Sequence, residues 1–212
     1  MAEPNPWLAI TAADYEGHMG PQGADQLAPL SAIFGQVYRA VRPRRLALLG
    51  CATGNGLEHV DPGISKQIVG VDLNIQYVAV ARQRFVGLGA RLELYCGDVL
   101  AAALKPASFD LVHAALLFEY VHPLALVPRI AEWLVPGGVC SAVLQLPADA
   151  GPVSPSPFKS LQRLAGTMKL IPPPELAAAF ARQGLQRTGT WEVPVKGGKR
   201  FHVALFRKPN GS

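Results

Sequence analysis

The run Leu46-Ala47-Leu48-Leu49-Gly50-Cys51-Ala52-Thr53-Gly54-Asn55-Gly56-Leu57 is where this sequence offers the most specific chemistry. An apolar stretch of strand character enters a turn of small residues, and small residues let the backbone approach a ligand closely. A dinucleotide fingerprint spaces its glycines as G-x-G-x-x-G, so that a pyrophosphate rests on a helix N-terminus. Here the small residues fall at 50, 52, 54 and 56, which fits that spacing poorly. The turn, with Gly50, Cys51, Ala52, Gly54, Asn55 and Gly56, is expected to let a ligand approach the backbone and to lead into a helix. Asp72 closes the next apolar run. A strand-end carboxylate can accept hydrogen bonds from both hydroxyls of a ribose, or cap the helix starting near Asn74. Asp98, after a third apolar run, can accept from the amino group of a base or serve as a turn aspartate. Leu73 and Val99 would flank that base, or belong to the core.

The elements that must hold these residues follow from the hydrophobic pattern. Strand-like runs cover 46–49, 67–71, 92–95, 109–114 and 138–146, separated by helix-like segments at 74–88 and 121–134. Asn74 can cap the first of these helices, and Pro136-Gly137-Gly138 stops the second. Strands alternating with helices imply crossovers and a mainly parallel sheet. Prolines 147, 152, 155, 157, 172, 173 and 174 mark an insert over 147–174. A helix at 175–183 follows, closed by Gly184. Two extended runs, 186–195 and 200–207, are then joined by Lys196-Gly197-Gly198-Lys199, which reads as a hairpin. Ahead of the first strand, 29–41 is amphipathic with Pro29 in its first turn, and 11–19 is a short helix or ordered loop.

Taken in order, these segments resemble the class I S-adenosylmethionine-dependent methyltransferases. The glycine turn stands where that family has its first motif. Val71-Asp72-Leu73, Cys96-Gly97-Asp98-Val99, Phe109-Asp110-Leu111-Val112 and Leu134-Val135-Pro136-Gly137-Gly138 follow in the family's order. The resemblance covers roughly 40–208. It implies an α/β, doubly wound, mainly parallel seven-stranded sheet with an antiparallel C-terminal hairpin. A helical N-terminal flap (1–45) would precede the cofactor domain (46–212), with the insert ahead of the last helix building the acceptor pocket. S-adenosylmethionine would be the methyl donor and S-adenosylhomocysteine the product. Two positions depart from the family. Leu48 stands where an acidic residue is usual, and Ala52 replaces the middle glycine. Asp14 or Glu16 in the flap is the expected substitute for the missing acid.

A cationic sulfur favours an aromatic face, worth about 0.5–2 kcal/mol. Tyr15 is the candidate, its alternative being a packing tyrosine. Cys51, set among small residues, reads as packing. Methyl transfer needs a base only when the acceptor loses a proton. His18, His113, Glu119 and His122 are the catalytic candidates, with His113 also near the donor because it ends the fourth strand.

The segment 113–119 lacks the polar-Pro-Pro-aromatic signature of amine and amide methylation, and no Pro-Cys pair exists for attack on a pyrimidine. Phe158, Leu161, Leu164, Met168 and Ile171 in the insert suggest a small, partly apolar acceptor methylated on oxygen or nitrogen, or merely cover the sheet edge. The basic residues Arg182, Arg187, Lys196, Lys199, Arg200, Arg207 and Lys208, with Arg42, Arg44 and Arg45, keep an RNA or protein methyltransferase as the alternative. A solvated hairpin edge is the commoner meaning of such charge. A non-catalytic protein binding the cofactor or its product is the third reading.

Composition agrees with one compact soluble domain. The 212 residues are 50% apolar with a net charge of +5, too mild to argue for nucleic acid by itself. Cys51, Cys96 and Cys140 form no CxxC pair, so neither a metal site nor a disulfide framework is expected. No signal-peptide pattern and no membrane-spanning run is present, so a cytoplasmic location is expected.

Overall fold

The computed structural model describes residues 5–149, 151, 153–164 and 166–211. Residues 1–4 of the expected flap and 150, 152 and 165 of the expected insert lie outside these. Seven strands, β1 (Arg45–Leu49), β2 (Gln67–Asp72), β3 (Leu92–Cys96), β4 (Phe109–Ala115), β5 (Leu134–Gln145), β6 (Gln186–Pro194) and β7 (Arg200–Arg207), form one sheet. Their order is β3-β2-β1-β4-β5-β7-β6. β1 to β5 pair in parallel, and β7 runs antiparallel between β5 and β6. This is the α/β, mainly parallel sheet with an antiparallel hairpin expected from the sequence.

Among the described residues five α-helices accompany it: α1 (Ala12–Met19), α2 (Leu27–Val41), α3 (Ile75–Arg84), α4 (Pro123–Trp133) and α5 (Pro173–Arg182). Alternate residues of a strand point to opposite faces. Ala47 and Leu49 therefore pack under α4 and α5, against Leu126, Ile130, Trp133 and Phe180. Leu46 and Leu48 pack under α2, against Phe34, Val37 and Tyr38. Burial on both faces is why β1 reads as an unbroken apolar run. Among the described residues, no helix is long and apolar enough to cross a membrane.

Local signals set most element ends. The Asn74 side chain accepts from the Gln76 amide and starts α3. Gly184, at φ +74°, ends α5, and Gly197 and Gly198, at +75° and +71°, make the turn between β6 and β7. Three expectations need correction. No α-helix follows the glycine turn: only a 3₁₀ turn, Leu57–His59, forms. Gly56 has φ +98° before it, and Asp61-Pro62-Gly63 follows, so helix can extend in neither direction. α3 stops at Arg84 and not at 88, because Phe85 leaves helical geometry and a 3₁₀ stretch, Val86–Arg91, bends at Gly89. β5 begins at Leu134, ahead of 138. Leu134 pairs with Phe109, and the register then shifts through Gly137 at φ +77°.

The insert lies against the N-terminal elements. Its 3₁₀ stretch, Lys159–Leu164, buries Leu161 and Leu164. Phe158 lies so close to Gly17 that a Cβ there would fall 2.3 Å from the ring.

Candidate active site

A cavity of about 320 Å³ opens at the C-terminal ends of β1, β2 and β4, where the strand order reverses between β1 and β4. Open α/β sheets bind ligands at such a point. The amides of Gly50 and Cys51 both donate to the Val71 carbonyl, at 2.8 and 3.1 Å, tying the glycine turn to β2. Ala52 donates its amide to Asp72 Oδ2 at 2.8 Å, and Asn74 donates its own to Oδ1 at 2.9 Å. Burial pushes the Asp72 carboxyl up, and the Asn74, Ala52 and Leu73 amides oppose that rise. Each carboxylate oxygen keeps acceptor capacity for a hydroxyl from a ligand.

Two strained backbone positions lie here. Ala52 and Leu116 hold φ of +45° and +51°, a region L-residues rarely occupy, and both line the cavity. Leu116 is held by its amide, which donates to the Val143 carbonyl at 2.9 Å. Asp98 also lines the cavity. Its Oδ1 accepts from the Leu100 amide at 2.8 Å, leaving the other oxygen for a ligand.

The N-terminal segment closes the cavity with aromatic rings. Trp7 meets Tyr120 edge-on at 5.0 Å and Tyr15 at 6.3 Å, while Tyr15 lies 5.0 Å from Tyr77. All four rings line the same space. Burial raises the pKa of all three phenols, so they stay protonated. The Tyr77 hydroxyl is buried without a protein partner.

Of the cofactor-binding candidates, Tyr15, Gly50, Ala52, Asp72, Leu73, Asp98 and Val99 meet at this cavity. Cys51, Gly54, Asn55 and Gly56 do not line it. Cys51 is buried behind the turn, its thiol pushed up by desolvation. Gly54 and Gly56 pack against Phe85 and Phe34, and the Asn55 amide donates to the Leu27 carbonyl. These four shape the turn from behind.

The catalytic candidates divide in the same way. His18 lines the cavity, nearly fully buried, with Nδ1 unpartnered. Burial, assisted by the charge of Lys199, lowers its pKa and keeps it neutral. His122 reaches the rim, but its Nδ1 accepts from the Leu124 amide and caps α4. His113 lies outside the lining. It pairs with Leu48 in the sheet, faces α2 and meets the Phe34 ring edge-on at 5.1 Å. Burial alone lowers its pKa to about 4. Glu119 is also buried outside the lining; its Oε1 accepts from the Gln145 amide at 2.7 Å, and desolvation raises its pKa to about 7.

The flap acids do not replace the acid missing at Leu48. Glu16 accepts from Thr53 Oγ1 at 2.6 Å and pairs with Arg84 at 2.8 Å, and Asp14 accepts from Ser160, all outside the lining. Leu48 itself is core beneath α2. In the insert, Leu161, Leu164 and Met168 line the cavity, whereas Ile171 packs into the core under α4 and α5. Trp7, Gln26, Tyr77, Tyr120 and Gln145 join the lining without having been marked by the sequence. Their signal is weak, because only the fold unites positions so far apart along the chain.

A family model described as a methyltransferase domain matches residues 48–138, from β1 to the start of β5. Over that stretch the sequence is that of a methyltransferase domain, and the chain is similar to class I S-adenosylmethionine-dependent methyltransferases. Trans-aconitate 2-methyltransferase of Methylobacterium nodulans is 30% identical over 179 residues, 83% of this chain and 63% of that protein. Phosphoethanolamine N-methyltransferase 3 of Arabidopsis thaliana is 26% identical over 110 residues, 51% of this chain and 22% of that protein. The chain thus spans less than two thirds of the length of either relative. In fold it resembles an S-adenosylmethionine-dependent methyltransferase from Mesorhizobium loti, with TM-score 0.67 and 20% identity, covering 88% of this chain and 100% of that one.

Proposed function

We propose that this protein transfers a methyl group from S-adenosylmethionine to an oxygen or nitrogen of a small, partly apolar molecule. The observation that carries the reading is the meeting of the glycine turn, Asp72, Leu73, Asp98 and Val99 around one cavity that the aromatic rings close. The lining fits such a nucleoside. A Cβ at Gly97 would meet no protein atom within 4 Å, and the Tyr77 hydroxyl lacks a protein partner.

Asp72 would take the ribose hydroxyls and Asp98 the base amino group, with Leu73 and Val99 along the base. When bound, S-adenosylmethionine supplies a methyl group on a cationic sulfur, which keeps the C–S electron pair as it leaves as a thioether. Trp7 and Tyr15 present uncharged aromatic surface that favours a cation and offers no competing nucleophile. His18, neutral and at the cavity wall, is the group suited to take the proton from an acceptor. Alignment in a closed site contributes about 7–11 kcal/mol in reactions of this kind.

The contacts of the C-terminal basic residues support a small acceptor over RNA. Arg200 pairs with Glu192, while Lys196, Arg207 and Lys208 donate to main-chain carbonyls at Pro21, Gly137 and Ala131. Lys199 is buried. These contacts pin the hairpin to the body of the fold.

Thermal unfolding with S-adenosylmethionine, S-adenosylhomocysteine and NAD tests the reading. A ligand at a hundred times its Kd adds about 2.7 kcal/mol to stability. In a domain of this size that raises Tm by about 5–10 °C for the first two ligands, with no shift for NAD. No shift with either sulfur compound would overturn it.

A further inference from the structure

The acceptor end of the cavity differs in chemistry from the nucleoside end. Leu30, Val153, Leu161, Leu164 and Met168 form its walls. Its polar groups are His18, Gln26 and Gln145, buried to 5%, 5% and 2% exposure, with Gln26 Nε2 donating to Gln145 Oε1 at 3.4 Å. Among the described residues no Lys or Arg lines the cavity, and its charged lining groups are Asp72 and Asp98 at the strand ends.

We infer that this end takes an uncharged molecule with a flat apolar body and one hydroxyl group, a phenol or enol, and rejects anionic acceptors. The inference rests on the methyl-transfer reading and goes beyond it by naming the acceptor class and its methylated atom, oxygen. A carboxylate or phosphate brought here would lose its water and find no Lys or Arg in the lining to pair with. An ammonium would likewise lose its water, and the acidic lining groups, Asp72 and Asp98, stand at the strand ends and not at this end. A hydroxyl meets neither obstacle. It both donates and accepts, and an imidazole beside two carboxamides offers both complements. The apolar walls supply affinity for the body of such a molecule without selecting a charge.

The experiment first measures S-adenosylhomocysteine binding by calorimetry; its absence would overturn the methyl-transfer reading and not the acceptor class. With the protein saturated in S-adenosylhomocysteine, 2-naphthol, 2-naphthoate and 2-naphthylmethylammonium are then titrated. These three share one flat body and differ in charge. The naphthol is expected to bind at least tenfold more tightly than either ion. Equal affinities, preference for an ion, or no binding of the naphthol would overturn the inference. Met168→Arg, which adds a cation to the wall, should improve naphthoate binding at least tenfold. An unaltered naphthoate affinity in that folded variant would also overturn it.

Discussion

Asn74 fastens Trp7 over the cavity. Its side-chain Nδ2 donates to the carbonyls of Trp7 and Ile10, both at 2.9 Å, while Oδ1 accepts from the Gln76 amide and caps α3. One side chain therefore joins the start of a helix at the nucleoside end to the segment that closes it. Asn74→Asp separates these roles. The carboxylate still caps α3, a position where Asp and Asn perform alike. Both donations are lost, at about 1 kcal/mol each, and replaced by repulsion from carbonyl oxygens. Cofactor affinity should fall at least about tenfold. Amide exchange should quicken over 7–19 and stay slow in β1 and β4, which hydrogen-exchange mass spectrometry reads directly.

The strained turn gives an opposite outcome. Ala52→Gly removes a Cβ from a φ of +45° and keeps the amide that donates to Asp72. Relief of about 1 kcal/mol is offset by the greater freedom of glycine in the unfolded chain. Stability in urea should change by less than about 1 kcal/mol, with cofactor affinity retained. Asp72→Asn should behave differently. It keeps one acceptor oxygen for two amide donors and turns an amide group toward the ligand. Cofactor affinity should drop at least about a hundredfold, equivalent to some 3 kcal/mol.

The sheet and the nucleoside end were legible because their signals are local. An apolar strand, small residues that permit positive φ, and an acid at the next strand end lie close together in the chain. His113 illustrates a signal present but misjudged. Leu111, His113 and Ala115 share one face of β4 by strand alternation, and that face lies under α2. A residue inside a strand covered on both faces cannot reach the cleft; only those at or past its end, Ala115 to Leu117, do so. Of the aromatic closure the sequence marked Tyr15 and none of the other three rings. Trp7, Tyr15, Tyr77 and Tyr120 come from four separate segments, and their meeting depends on where α1 and the insert dock. The missing helix after Gly56 was readable in part, since Asp61-Pro62-Gly63 leaves too little chain for one.

Glu16 locks α1 to the glycine turn through Thr53 and Arg84 without entering the cavity. The Arg84 and Thr53 hydrogen bonds hold its carboxyl below the ordinary range against a smaller opposing effect of burial. Both charged partners are about a third or more exposed, so solvent screens the pair and its worth is at most about 1 kcal/mol. Glu16→Gln should therefore cost little stability and weaken cofactor binding less than about fivefold. The difference from the unaltered protein should vanish at 1 M salt, where charges are screened beyond about 3 Å. A large loss of affinity would instead make Glu16 a direct ligand group, and calorimetry at two salt concentrations separates the outcomes.

Two buried groups bend the pH dependence of stability in opposite directions. His113 has its pKa lowered from 6.5 to about 4, so between these values the unfolded chain binds a proton that the folded chain refuses. Stability from this group rises as pH increases through that window. Glu119 has its pKa raised from 4.5 to about 7, so the folded chain holds a proton that the unfolded chain has lost. Its contribution is full below pH 4.5 and disappears as pH rises through 7. Each group acting alone spans on the order of 3 kcal/mol, and between pH 4.5 and 6.5 the two slopes offset each other. Isosteric variants should unmask them. The stability of Glu119→Gln minus that of the unaltered protein should grow with pH from 4.5 to 7, because the variant has no carboxylate to bury. The same difference for His113→Gln should shrink as pH rises from 4 to 6.5, because the variant escapes a penalty felt only in acid. Urea unfolding at half-unit pH steps measures both differences. Parallel profiles for all three proteins would mean that neither group titrates across folding.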